Sequence, residues 1–340
     1  TALPLDLGTF VACQKMVAGV DSFSLLAVPF FILTGVLMNT GGIAQRLINL
    51  AKCLVGRIPG GLAHTNIVGN TMFGALSGSA VAASIAVGGV MLPEEEAAGY
   101  DKKFAAAANV ASAPTGLIIP PSGILIIYAV LSGSSVVGMI MSGYIPGILW
   151  CLACMVVAFI VARKNKYPTS ERVPVKVLFR YFVEAIPSIL LIVIIIGGIS
   201  SGIFTATESA AVAVAYTLFL AMVVYKSIKP SDLPGILRDA CETTAVIMFL
   251  IAASAVMSFV LSFTGLPNAI GEALLSVSDN KYVILLLINL LLLVAGMFMD
   301  ITPAVLIFAP IFLPVVTSFG MDPIHFGIMM VMNLGVGNIT

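Results

Sequence analysis

Two short runs of oxygen-bearing residues interrupt long apolar sequence in this chain: Ser77-Gly78-Ser79-Ala80 and Met299-Asp300-Ile301-Thr302-Pro303. Each is followed by a second interruption. The first is Ser112-Ala113-Pro114-Thr115-Gly116 with Pro120-Pro121-Ser122-Gly123, and the second is Asn333-Leu334-Gly335-Val336-Gly337-Asn338-Ile339-Thr340. Glycines and prolines at such points leave backbone carbonyls without intrahelical partners. With hydroxyl and carboxylate oxygens these carbonyls are hard ligands suited to Na+. Half-helices starting there present free N–H groups and the positive end of a helix dipole, which suits an anion. Thr302 reads as the cap of one such half-helix, with Pro303 in its first position. Asp300 is an ionisable group in apolar surroundings and so a functional candidate, with a plain helix cap as the competing reading. Glu208, in Thr205-Ala206-Thr207-Glu208-Ser209, reads equally as a helix-start residue or a functional acid.

The surroundings of these runs are those of a bilayer protein. Of 340 residues 60% are hydrophobic and 9% charged, and mean hydropathy is +1.12, a composition that excludes a soluble domain. Sixteen basic residues balance sixteen acidic ones without a basic stripe, so nucleic acid is not an expected partner. Five scattered cysteines, Cys151 and Cys154 among them, read as bilayer packing. His64 and His325 are far apart and read as structural, and no metallohydrolase, Walker or dinucleotide motif is present. The expected spans are 22–39, 122–142, 144–162, 183–203, 206–225 and 243–264. Segments 61–76, 80–92, 103–118, 282–298, 303–318 and 324–336 are apolar but short and broken, which lipid tolerates only beside protein or a water-filled cavity. Residues 42–57 and 266–277 alternate as amphipathic interfacial helices. Glu94-Glu95-Glu96 with Asp101, Lys102 and Lys103 read as a solvated connection. Basic residues gather at Arg163, Lys164, Lys166, Arg172, Lys176 and Arg180, and again at Lys226, Lys229 and Arg238, which makes both segments cytoplasmic.

The interruptions belong to a repeat. Leu92-Pro93, Gly99-Tyr100-Asp101, Gly116 and Ser79 recur 221 positions later as Leu313-Pro314, Gly320-Met321-Asp322, Gly337 and Asp300. Gly42-Ile43-Ala44 meets Gly265-Leu266-Pro267 at 223. Repeated units with matching broken hydrophobic segments point to a secondary transporter. The symmetry leads us to expect about two helices before Thr1 and a Pro-broken continuation after Thr340, with both ends lying mid-protein. A passive channel and an intramembrane enzyme are the alternatives. The enzyme lacks paired catalytic acids.

Several stretches together resemble one family: LLAVPFFILTGVLMNTGGIAQRL (25–47), GALSGSAVAAS (74–84), APTGLIIPPSG (113–123), GIFTATESAAVAV (202–214) and GMFMDITPAVLIFAPIFLPV (296–315). The chain is similar over nearly its whole length to the large membrane subunit of tripartite ATP-independent periplasmic (TRAP) transporters. The resemblance implies an all-α polytopic fold with inverted repeats, two re-entrant helical hairpins and two broken helices, working as an elevator. It implies 1–57 as a scaffold helix and arm helix, and 58–143 as the first transport-domain repeat. Scaffold spans would fill 144–265, a second arm helix 266–280 and the second transport-domain repeat 281–340. Na+-coupled import of a small organic anion across a bacterial inner membrane is implied, with sialic acid, another sugar acid or a C4-dicarboxylate as cargo. A small membrane subunit and a periplasmic substrate-binding protein are the implied partners. Carried onto this chain, the Na+ candidates are Ser77, Gly78, Ser79, Pro114, Gly116, Asp300, Thr302, Gly335 and Gly337. The substrate candidates are Ser79, Ser112, Thr115, Ser122, Thr302 and Asn338. Where the family usually has an acid or hydroxyl soon after Ser-Gly-Ser, this chain reads Ala-Val-Ala-Ala-Ser84, which implies mostly backbone ligands there.

Overall fold

The computed structural model describes residues 5–169, 175–277 and 280–339, and no strand occurs among them. The elements run α1 (Leu5–Val20), α2 (Ala27–Thr40), α3 (Ile43–Val55), α4 (Gly61–Ser77), α5 (Ala80–Ala97), α6 (Lys102–Ser112), α7 (Thr115–Ile118), α8 (Gly123–Ser132) and α9 (Val136–Ser142). They continue α10 (Tyr144–Asn165), α11 (Val175–Ser200), α12 (Ala206–Phe219), α13 (Leu233–Thr264), α14 (Leu266–Val277), α15 (Lys281–Phe298), α16 (Ile301–Ser318) and α17 (Pro323–Gly337). Among the described residues, seven helical stretches are long and apolar enough to cross a bilayer. An eighth forms if the bent pair Lys102–Ile118 and Gly123–Ser132, turned by 45°, counts as one span.

The repeat is visible in the backbone. Ser79 caps α5 and Asp300 caps α16, while Asp101 caps α6 and Asp322 caps α17, each pair at the same offset. Gly99 and Gly320 both turn with positive φ, at 85° and 76°, and Gly42 and Gly265 do so at 66° and 68°. Pro93 and Pro314 both lie inside the second arm of a hairpin. Packing repeats too: α4 lies on α6 and α7, and α15 lies on α17. The units lean on one another through α8, which packs on α16 and α17, and α13 joins α2, α1 and α16.

Several expectations change in three dimensions. The apolar run 122–142 is not one span: Gly133, at φ 66°, ends α8, and Ser135 caps α9, which leads into α10. Segments 282–298 and 303–318 are not short, since α15 and α16 each run 18 residues. The second half-helix starts at Ile301, capped by Asp300 rather than Thr302, because an Asp Oδ1 placed one residue ahead accepts from Ile301 N at 2.8 Å. The glutamate triplet is not a solvated connection, because α5 continues through it to Ala97 and Glu95 is buried. Helix α1, which packs on α13, went unassigned in the sequence. Arg172 and Thr340 lie outside the described residues.

At Glu208 the capping reading prevails. Thr205 Oγ1 accepts from Glu208 N at 3.2 Å and Glu208 Oε2 accepts from Thr205 N at 2.8 Å, a reciprocal capping box on α12. Thr205→Ala is therefore expected to cost about 1 kcal/mol of stability, read as a lowered thermal unfolding midpoint, while Glu208→Gln keeps wild-type uptake. A Glu208→Gln protein that folds normally yet has lost uptake would overturn the capping assignment.

Candidate functional site: a cavity between two hairpin tips

The first tip is built from three residues. Ser77 ends α4, Gly78 adopts φ 63°, which suits glycine, and Ser79 is extended with Oγ accepting from Ala82 N at 3.3 Å. Ser77 Oγ donates to Ser79 O at 3.4 Å. The tip rests on the first break: a Cβ added at Gly78 would stand 3.0 Å from Pro121 O. Helix α2 presses on the same backbone, since a Cβ at Gly35 would stand 3.3 Å from Ser77 O. In the second tip, Met299 and Asp300 are extended and Asp300 Oδ1 caps α16, which leaves its other carboxylate oxygen for a ligand.

Both tips open on one cavity of ≈540 Å³. Ser77, Gly78, Ser79, Asp300, Thr302 and Asn338 line it, so six of the expected site residues, drawn from both units, come together. Asn39 and Thr40 of α2, with Asp239 and Thr243 of α13, line it too. Sequence reading missed these four, because Asn39 and Thr40 look like the end of a span and Asp239 like part of a solvated basic segment. A second hollow of ≈580 Å³ between α6 and α10 has almost wholly apolar walls and gathers no comparable oxygen set.

The remaining expected residues stand behind the cavity wall. Ser112 and Thr115 are fully buried; Ser112 Oγ accepts from Asn70 Nδ2 at 3.0 Å, and Thr115 Oγ1 donates to Ser112 O at 2.6 Å. Ser122 caps α8 and donates to Leu117 O. Pro114 and Gly335 bring the two broken helices into contact, a Cβ at Gly335 lying 3.5 Å from Pro114 Cβ. Gly116 faces Gly74 and Gly337 faces Gly296, backbone against backbone in each unit. Asn333 Nδ2 donates to Asn289 O at 2.7 Å, fixing the second break to α15 much as Asn70 fixes the first to α4. These contacts pack each break against the first arm of its own hairpin.

The sequence profile described as "Tripartite ATP-independent periplasmic transporter, DctM component" matches residues 4–340. The chain belongs to the DctM family. Its similarity to "Uncharacterized protein YgiK" of Salmonella typhimurium is 53% identity over all of this chain and 78% of that protein. It is 41% identical to "Sialic acid TRAP transporter large permease protein SiaM" of Vibrio cholerae, over 98% of this chain and 78% of SiaM. Among solved structures, the Alcanivorax borkumensis YdaH transporter shares the fold with TM-score 0.62 at 15% identity, covering 99% of this chain and 78% of that one. This DctM-family chain is thus a TRAP-type large permease, a multi-pass protein of a bacterial inner membrane.

Proposed function

We propose that the chain imports a small organic anion together with Na+, receiving it from a periplasmic binding protein and working beside a small membrane subunit. The observation that carries this reading is the meeting of two capped tips, one from each repeat, in one oxygen-lined cavity. Two tips facing a common space can bind cation and anion together, with half-helix N-termini toward the anion. The donor set fits Na+, being hydroxyl, carbonyl and carboxylate oxygens at Ser77, Ser79 and Asp300, without sulfur or imidazole. Bound Na+ would supply positive charge beside Asp300, so that an anion could enter next to a carboxylate.

The proposed moving part comprises the two hairpins and broken helices, roughly 58–143 and 281–340. The framework is 1–57 and 144–265 with the arm 266–280. The wall contributed by α2 and α13 is then the surface against which the hairpins slide in an elevator cycle. Asp239 and Thr243 closely follow the basic segment 226–238, so the cavity borders the end of α13 that the positive-inside tendency makes cytoplasmic. A sugar acid of the sialic acid type is the first cargo to test, supported by the identity to SiaM, with C4-dicarboxylates second.

The test is uptake into proteoliposomes holding the complete permease, with binding protein outside. Replacing the Na+ gradient by K+ is expected to reduce uptake to background. Equal uptake in K+, or uptake without binding protein, would sink the corresponding part of the proposal.

A further inference from the structure

Glu94, Glu95 and Glu96 occupy consecutive positions of α5 and meet different surroundings. Glu94 lies 2.8 Å from Lys52 Nζ on α3, and Glu96 lies 2.9 Å from Lys102 Nζ. Glu95 turns inward, 0% exposed, and pairs with no cation among the described residues. Its oxygens stand 3.3 and 3.4 Å from one donor, Asn66 Nδ2. From Asn66 a buried chain of amides and hydroxyls leads away: Asn70 Nδ2 donates to Asn66 Oδ1 at 2.9 Å and to Asn109 Oδ1 at 2.9 Å, and Asn109 Nδ2 donates to Ser84 Oγ at 3.0 Å. Asn70 Oδ1 is buried without a partner in that chain.

Among the described residues, no charge on a neighbouring element balances Glu95. On α3, Lys52 is taken by Glu94, Arg46 stacks on Tyr225, 3.6 Å from the ring centroid, and Cys53 is the remaining titratable group. His64 of α4 packs toward Phe159, with ring centroids 6.5 Å apart, and Lys103 of α6 is exposed. Tyr100 donates to Pro168 O and Asp101 caps α6. Helices α2 and α7 carry no ionisable residue. A buried carboxylate with one amide for company loses its hydration without a compensating charge, and such a group holds a proton instead.

We propose that Glu95 is a proton-binding site of the first hairpin, neutral when α4, α5 and α6 are packed, and that its deprotonation loosens this seam and slows transport. The proton comes from and returns to the aqueous phase, and no other bond changes. The site is separate from the cavity of the tips, and its occupant is H+ rather than Na+. In the unfolded chain Glu95 ionises in the ordinary carboxylate range. In the folded chain it holds its proton to higher pH. Its contribution to stability is therefore full in acid and is lost as pH rises through the folded titration.

The purified full-length permease and its Glu95→Gln variant are compared from mild acid to alkali. The infrared carbonyl stretch of a protonated carboxylic acid is expected in wild type, to fade in alkali and to be absent from the variant. Between the two titrations, the folding equilibrium of wild type relative to the variant should change about tenfold per pH unit, one proton's worth. Uptake by wild type should fall in alkali while the variant keeps its rate. If Glu95→Gln does not fold, the wild-type infrared band still decides, with Glu95→Met as a second neutral replacement. A wild-type protein with no such band in mild acid, or one whose band and uptake persist unchanged into alkali, overturns the proposal. Loss of Na+-dependence would strike the function proposed above and leave the infrared result standing.

Discussion

Asp300→Asn is expected to raise the Na+ concentration for half-maximal uptake roughly tenfold or more, the effect of losing about 1.4 kcal/mol of cation binding, while the protein melts as wild type does. The two halves of that expectation come from separate roles of one side chain. Asp300 Oδ1 accepts from Ile301 N at 2.8 Å and starts α16. Asn caps as well as Asp does, so the amide preserves the helix start. What it removes is the negative charge facing the cavity shared with Ser77 and Ser79. Asp300→Ala removes both, and should add about 1 kcal/mol of destabilisation to the same loss of Na+ affinity. Titrating uptake against Na+ for the two variants, with thermal midpoints measured alongside, separates the roles. An Asp300→Asn protein with the wild-type Na+ curve would reduce Asp300 to a cap.

Local signals carried much of this architecture. Ser, Asp and Gly at helix ends act through bonds to backbone groups within three or four residues, so Ser79, Asp101, Gly99 and their counterparts at Asp300, Asp322 and Gly320 announce the same turns in both units. Signals that depend on rotation or on distant packing did not show. Glu95 looks like Glu94 and Glu96, yet a helix turns about 100° per residue, and that turn alone sends the middle carboxyl inward. The 122–142 stretch hides its division because Gly133 changes the backbone without changing hydropathy. Glycine is ambiguous in the same way: one letter serves for a freed carbonyl at a ligand site and for two backbones in contact. Gly78 lies at the cavity, whereas Gly116 and Gly337 lie where helices touch. The part of the wall from α2 and α13 was illegible because the repeat matches these two spans end to end, whereas the cavity takes the last residues of α2, Asn39 and Thr40, and residues near the start of α13, Asp239 and Thr243.

That ambiguity makes the glycine contacts the sharpest test of the fold. A Cβ at Gly116 would lie 2.4 Å from Gly74 Cα, and a Cβ at Gly337 would lie 2.6 Å from Leu293 O and 2.8 Å from Gly296 Cα. Backbone cannot rotate aside as a side chain does, so each added methyl must push a hairpin arm away from its break. Gly116→Ala and Gly337→Ala are each expected to cost about 1–3 kcal/mol, read as a lower thermal unfolding midpoint, and Gly116→Val more. Gly89 in α5 is the control, because a Cβ there meets nothing within 4 Å. There the gain of helix propensity should stabilise by about 0.5–1 kcal/mol. Opposite signs for the same Gly→Ala exchange can only come from packing. A Gly116→Ala protein as stable as wild type would mean that α4 and α7 do not touch as described. If the shift is as expected, uptake should fall with it, because an arm displaced from its break moves the tip at Gly78 off Pro121 and opens the cavity that the two tips enclose.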